Sequence, residues 1–399
     1  MWPIISTLLL DAYVALLSLQ VNGVVASTDG IRLYIILFFA AECACILLFK
    51  NSNKMSSTKV SVNTFLGTAV IYTLYIVAYL MIVRMSTGRM LEILFFPLCI
   101  IITHINYRQV KDMKTFDRII DIQFYLLLVV AAIFFMAQIM HRGDYTKNIN
   151  TVYYVVFTLP FILCHDKKRK RNIGLLIILL CVFWSTKRAP LIAIGTVLLF
   201  AYKDKTNTSA LKIISRIIMI VALALLLNYI FDKYLEINIL DRLLKLGSDG
   251  GSGRVELAGN AIDALKNNNI FEWIFGHRLY TTSSVFRFGA HNDFLEVVFR
   301  MGLVGFLIYL NFFKTMFSHA RECKHSGDEK GAQMIYAAFY MFVIISFSSQ
   351  LIYLPTYISL IAMAVSLAVC RNRLMTSLDS EDSENDNAEG NMIDNRRAV

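Results

Sequence analysis

An arginine follows a glycine-rich stretch in the second half of the chain, where it is suited to bind an anion. Arg254 ends the run 247–254, Gly-Ser-Asp-Gly-Gly-Ser-Gly-Arg, whose glycines predict irregular backbone. Apolar residues then recur at helical spacing over 255–265, which predicts a helix capped by Ser252 and ended by the asparagines 267–269. Amides at a helix start favour negative charge, so this is a candidate phosphate site, although no Gly-Lys-Ser/Thr of a Walker motif follows.

A histidine stands at the head of an apolar segment. His291 directly precedes the segment 292–313, and Asn292, Asp293 and Glu296 follow it within two helical turns. Because helix-start amides disfavour an imidazolium, we expect a neutral imidazole that accepts a proton or a hydrogen bond. The alternatives are that His291 only caps the helix and that Asp293 only favours the helix N-terminus.

A second arginine lies just beyond another apolar segment. Arg188 follows the segment 173–186, separated from it by one lysine. A guanidinium stays charged at any working pH and matches phosphate oxygens with two parallel hydrogen bonds. The alternative is that Arg188 only anchors its segment at a membrane interface.

The elements that position these residues are predicted to be transmembrane helices. Of 399 residues, 57% are hydrophobic and 17% are charged, and the mean hydropathy is +0.57, which excludes a soluble enzyme, a disordered protein and a disulfide scaffold. We therefore predict an all-α, polytopic membrane protein. About twelve spans are expected, at 3–20, 31–49, 62–83, 90–105, 119–140, 151–165, 173–186, 189–202, 213–231, 292–313, 332–349 and 352–370.

The basic residues predict the orientation. The net charge of +10 is carried mostly by short loops, such as 167–171, where every residue is Lys or Arg. This pattern reflects membrane topology rather than nucleic-acid binding, and it places both termini in the cytoplasm. The predicted organisation is spans 1–9 over 1–231, a large outer loop over 232–291, spans 10–12 over 292–370, and an acidic, disordered cytoplasmic tail over 371–399.

Cysteines and carboxylates give no sign of a disulfide or a metal. Six of the seven cysteines lie in or beside apolar segments, and Cys323 lies in a basic loop. No Asp-x-Asp pair occurs in an outer loop. We therefore predict no structural disulfide, no metal and no cofactor.

Three motifs together resemble one family. Residues 290–296, Ala-His-Asn-Asp-Phe-Leu-Glu, with Gly302-Leu-Val-Gly305 after them, look like the signature that follows the large periplasmic loop of the O-antigen polymerase (Wzy-type) and O-antigen ligase superfamily. Ser185-Thr-Lys-Arg-Ala189 and Ser252-Gly-Arg254, the latter with a later Phe275-Gly276, resemble two earlier motifs of that family. The resemblance covers about 173–313, in the expected order.

The resemblance implies a membrane glycosyltransferase of the GT-C type in the bacterial inner membrane, with a periplasmic active site. Its substrates would be undecaprenyl-diphosphate-linked oligosaccharides, as donor and acceptor, and a chain-length regulator is a possible partner. Arg188 and Arg254 correspond to the family's diphosphate-binding arginines, and His291 to its essential loop histidine. Asn292, Asp293 and Glu296 would contact substrate, the two carboxylates as spare bases.

Two alternatives stay open. A ligase would transfer the finished glycan to lipid A-core; here Phe288-Gly289 precedes Ala290-His291, whereas ligases more often show His-x-His-Asn. A flippase for lipid-linked oligosaccharides would also suit twelve spans. The span centres are nearly free of charge, which disfavours transport.

Overall fold

The computed structural model describes residues 2–21, 64–82, 87–141, 150–185, 187–201, 254–277 and 289–397, with isolated positions between 215 and 233. For 87–92, 201, 254 and 378–397 the description covers the backbone alone. Every regular element in these residues is helical, so the all-α prediction is confirmed for them. The α-helices are α1 Trp2–Val21, α2 Phe65–Ile82, α3 Thr87–Tyr107, α4 Met113–Met140, α5 Val152–Phe157, α6 Leu159–Cys164, α7 Lys168–Ser185, α8 Arg188–Thr196, α9 Arg254–Lys266, α10 Ile270–Phe275, α11 Asp293–His325, α12 Glu329–Ser346 and α13 Pro355–Arg397. A π-helical turn, Val197–Ala201, extends α8, and a 3-10 turn, Leu351–Tyr353, precedes α13.

The helices have the length and composition of membrane spans. Four described segments are long and apolar enough to cross a bilayer, and three shorter apolar helices accompany them: Trp2–Gln20, Phe65–Ile82, Met113–Met140 and Pro355–Ser377, then Ile93–Tyr107, Val152–Cys164 and Arg188–Phe200. The protein is therefore a helical membrane protein. The predicted second span, 31–49, lies outside the described residues, and the ninth, 213–231, is described only at isolated positions. The count of twelve and the GT-C-like arrangement stay predictions.

The core is aromatic where α2, α3 and α11 meet. Phe312 of α11 makes edge-to-face contacts with Phe65, Tyr72 and Phe96, with ring centroids 5.3 to 5.8 Å apart. All four rings are buried. Such ring pairs stabilise the packing beyond what the buried apolar area contributes, and they fix how the helices cross.

Loops predicted to lie on the inner side meet at one end of the bundle. Arg373, near the inner end of α13, donates a hydrogen bond to the carbonyl of Val110, which follows α3. Lys330 in the first turn of α12 pairs with Asp166, which follows α6. Arg371, two residues before Arg373, pairs with Asp328 in the loop after α11. The loops after α3, α6 and α11 therefore meet, as the alternating topology requires. That this end is cytoplasmic stays a prediction.

The tail, 371–399, was predicted from its composition to be disordered and cytoplasmic, and both stay predictions. In the backbone, α13 continues to Arg397. The first part of α13 is packed against α3 and α12, so the helix is already nucleated there, and each further residue adds one hydrogen bond at low cost. No proline interrupts the segment after Pro355.

The helix that carries the histidine motif is broken. Inside α11, Gly302 has non-helical angles, φ 62° and ψ −164°. Around the break α11 runs antiparallel to α2: Asn311 donates to the Thr68 hydroxyl at 2.8 Å, and the Tyr75 hydroxyl donates to the carbonyl of Met301 at 2.8 Å. A glycine is required here because other L-residues rarely adopt this φ.

Candidate functional site

His291 is held at the rim of the bundle in a strained conformation. Its φ is +48°, which makes it the one non-glycine residue with positive φ in the described part of the chain, and its side chain is exposed. The next residue, Asn292, caps α11 by accepting from the amide of Leu295 at 3.1 Å. The Asn292 amide also donates to the carbonyl of Phe347 at 3.2 Å. A left-handed histidine costs about 1 kcal/mol, so neighbouring contacts must maintain it.

Asp293 supplies the strongest of those contacts. Its side chain is fully buried and accepts hydrogen bonds from the backbone amides of Leu351 and Ile352, at 3.1 and 3.3 Å. The Tyr309 hydroxyl donates to the same carboxylate at 3.4 Å. Asp293 therefore ties the start of α11 to the 3-10 turn before α13. The structure places it inside the protein, and its predicted contact with substrate stays a prediction.

Glu296 faces the same turn. It is fully buried and accepts hydrogen bonds from the Gln350 amide, at 3.2 Å, and from the Tyr353 hydroxyl. Gln350 also packs against Gly289, where an added Cβ would lie 2.3 Å from the glutamine nitrogen. Gln350, in the turn 347–353, thus contacts Gly289 before His291 and Glu296 after it. For Glu296, too, the predicted contact with substrate stays a prediction.

The structure adds residues that the motif did not indicate. Arg300 is 2% exposed, and its guanidinium lies over the Tyr353 ring, 4.8 Å from the centroid. Asp293, Glu296 and Arg300 share one face of α11, at spacings of three and four residues. The signal was present in the sequence, because a charge inside an apolar run is itself a candidate functional residue. The expectation of nearly uncharged span centres is therefore too simple, since Asp11 of α1 is also buried.

Arg188 lies at the same end of the bundle. It is the first residue of α8, half-buried, and the break between α7 and α8 falls where the sequence predicted it. The preceding Lys187 donates to Asn150 at 2.5 Å and lies over the Tyr153 ring at 5.6 Å. Tyr153 in turn contacts the ring of Tyr357, with 6.3 Å between centroids, in the first turn of α13. Both α8 and α11 pack against α12, so they share a neighbour.

Arg254 begins α9, as predicted, and its side chain lies outside the described residues together with Ser252. The helix ends at Lys266, and Asn269 then caps α10 in a reciprocal capping box with Glu272. Both α9 and α10 pack against α11. The outer loop is therefore helical in its described part and folds back onto the helix that carries His291.

The described residues offer no metal centre. Within them, no group of three His, Cys, Asp or Glu side chains is placed to hold a metal ion. The five described cysteines are buried free thiols: Cys99, Cys164, Cys181, Cys323 and Cys370. Cys43 and Cys45 lie outside the described residues.

These observations define a class: a polytopic helical membrane protein with a polar, partly buried site at one end of the bundle. The family model described as O-antigen ligase matches residues 173–310, which confirms over this region the resemblance to the O-antigen polymerase and ligase superfamily. The matched region contains Arg188, Arg254 and His291. Members of this family are glycosyltransferase-like enzymes, and the match does not separate polymerases from ligases. No curated protein is similar enough to the whole chain to count as a match.

Proposed function

We propose that this protein is an O-antigen, capsular or exopolysaccharide polymerase that joins undecaprenyl-diphosphate-linked repeat units at the periplasmic face of the inner membrane. One observation carries the proposal: the matched region, 173–310, contains the three motifs, and His291 is held exposed at the head of α11. The Asn292, Asp293 and Glu296 hydrogen bonds support it, because they fix the histidine loop to the rest of the bundle.

The proposed reaction is direct displacement at the anomeric carbon of the donor glycan. An acceptor hydroxyl oxygen attacks that carbon, the bond to the diphosphate oxygen breaks, and the electron pair leaves with the diphosphate. Arg188 and Arg254 would stabilise the charge that develops on the leaving group, so the step is proposed to need no metal. His291 would accept or orient the hydroxyl proton. Asn292 would contact substrate, whereas Asp293 and Glu296 act by holding the loop.

The alternative is a ligase that transfers the glycan to lipid A-core. The description of the matching family favours it, whereas the sequence Phe288-Gly289-Ala290-His291 favours the polymerase. A flippase is the less favoured reading. Its support is that two ionisable residues, Asp11 and Arg300, are buried, and its weakness is that the matched family contains enzymes.

The test is a lipopolysaccharide gel on the source strain with this gene deleted and then complemented. Wild type should restore a ladder, while His291→Asn should leave core with a single repeat unit, because asparagine tolerates positive φ but is a poor proton acceptor. His325→Ala is the matched control: this exposed histidine lies at the opposite end of α11, and its ladder should persist.

Other outcomes discriminate among the alternatives. Bare core with long chains accumulating on undecaprenyl diphosphate would identify the ligase. Failure of lipid-linked units to reach the periplasm would identify the flippase. An unchanged ladder with the deletion would redirect the assay to capsule or exopolysaccharide, and normal polymers there as well would refute the assignment.

A further inference from the structure

The short helix of the outer loop exposes apolar side chains. In α10, Ile270 is 80% exposed and Phe271 56%, and Trp273 and Ile274 are each 37% exposed. The preceding helix α9 exposes a charged pair, Asp263 and Lys266, together with Val255 and Ile262, which are 69% and 42% exposed. Four apolar side chains on one six-residue helix are too many for a segment surrounded by water, so something apolar covers them.

The depth of α10 follows from its contacts with α11. Its Ile274 carbonyl carbon would lie 2.4 Å from a Cβ added at Gly302, so the two backbones touch. The adjacent Met301 carbonyl accepts from Tyr75. Tyr75 lies seven residues before the end of α2 at Ile82, and at 1.5 Å per residue this is about 10 Å inside the apolar span.

The end of α2 at Ile82 is the outer end. At the other end of this helix, the amide of Phe65 lies 3.4 Å from the ring of His319, within two turns of the inner loop after α11. The break in α11, and with it the C-terminal end of α10, therefore lies below the outer surface of the bilayer.

Two backbone carbonyls of this junction are paired with groups outside α11, as burial in a membrane requires. The carbonyls beside the break accept from outside α11: that of Met301 from Tyr75, and that of Phe299 from the amide of His277 at 2.8 Å. Gly276 has φ 82° and approaches Arg300 so closely that a Cβ would lie 2.3 Å from its carbonyl carbon. Irregular backbone at membrane depth is tolerated when protein groups pair with it in this way.

We propose that α10 is a membrane-embedded segment of the outer loop, whose exposed side chains contact the acyl chains of the outer leaflet of the inner membrane. Glu272 lies on the opposite side of the helix from Ile270 and Ile274 and faces the headgroups, and Trp273 lies near the interface that tryptophan prefers. This inference does not depend on the glycosyl-transfer reaction.

The experiment compares two cysteine variants of the full-length protein, Ile270→Cys and Asp263→Cys. The Ile270 residue and the Asp263 side chain are 80% and 69% exposed, so they differ in surroundings rather than in burial by the protein. Each is treated with a membrane-impermeant maleimide in spheroplasts and in proteoliposomes of the purified protein, with wild type as background. Labelling at position 270 should be at least about tenfold slower than at 263, because hydrocarbon excludes the reagent and disfavours the thiolate.

A second measurement identifies what contacts the exposed side chains of α10. With Trp2 and Trp184 changed to Phe, the remaining Trp273 fluorescence should be quenched by lipids brominated on their acyl chains. Equal labelling at 270 and 263 in both preparations would refute the proposal by placing α10 in water. Protection in spheroplasts alone would refute it in favour of a protein partner. Protection in both without quenching would refute it in favour of a second copy of this chain.

Discussion

Replacing Gly302 with alanine tests the junction between α10 and α11. Gly302 has φ +62°, a conformation that costs an L-residue about 1–2 kcal/mol. A Cβ there would also meet the backbone of Ile274, with the carbonyl carbon and oxygen at 2.4 Å and the Phe275 nitrogen at 2.5 Å. Backbone atoms cannot turn aside as a flexible side chain can, so either α10 moves or α11 straightens.

The two contributions give an expected loss of about 2–5 kcal/mol, from the dihedral strain and from overpacking. Gly195→Ala is the matched control, because this glycine lies in α8 and nothing is within 4 Å of its added Cβ. Alanine in a helix interior should be neutral there or stabilise by about 0.5–1 kcal/mol.

The first assay is the thermal unfolding midpoint of the purified protein in detergent micelles. The second is the rate at which the maleimide labels Ile270→Cys when Gly302→Ala or Gly195→Ala is also present. Gly302→Ala should lower the midpoint by several degrees and raise the labelling rate, since displaced α10 leaves its lipid-facing position. A midpoint equal to that of Gly195→Ala would refute the reasoning about the junction.

Three further predictions concern buried polar groups, each measured by the same thermal midpoint. Asp11→Asn should retain stability, because an amide still accepts from Gln123 at 2.7 Å, whereas Asp11→Leu should lose about 1–3 kcal/mol by orphaning that donor. Asp293→Asn should lose a similar amount, about 1–3 kcal/mol, because the two backbone amides donate to different carboxylate oxygens and asparagine keeps only one of them. Tyr75→Phe should cost about 1–3 kcal/mol by leaving a carbonyl beside the break unpaired, while Tyr125→Phe, 56% exposed, should change little.

Each of these three predictions has its own contradicting result. Equal midpoints for Asp11→Asn and Asp11→Leu would mean that the Gln123 hydrogen bond does not stabilise the helix pair. An unchanged midpoint for Asp293→Asn would remove its assigned role as the clamp between α11 and the 3-10 turn. Equal losses for the Tyr75 and Tyr125 variants would attribute the effect to the rings rather than to the hydroxyl.

The class of protein and its family region followed from the sequence alone. Hydropathy summed over about 20 residues reports whether a segment suits a bilayer, whatever its partners are. The motifs around Arg188, Arg254 and His291 are likewise short and contiguous, and the region they predicted, 173–313, agrees with the matched 173–310. The helix after the glycine-rich stretch and the break between α7 and α8 were predicted for the same reason, since turn and capping signals are local.

The partners of the carboxylates were decided by tertiary structure. The sequence places Asp293 and Glu296 beside a histidine, and the structure adds hydrogen bonds from a turn more than 50 residues later: from Leu351 to Asp293, and from Gln350 and Tyr353 to Glu296. No local pattern encodes such pairings, because they depend on how two helices pack. A buried carboxylate needs partners whatever its sequence neighbours are.

The break at Gly302 also separates what the sequence determines from what the tertiary structure decides. In the sequence Gly302 is only part of a Gly-Leu-Val-Gly motif, whereas in the structure it is the position where the outer-loop helix α10 meets the backbone of α11. Sequence determines which residues are apolar, charged or free to adopt positive φ, since these are properties of single side chains. Which carbonyls lose their helical partners, and which distant groups replace them, is settled only when the segments are packed together.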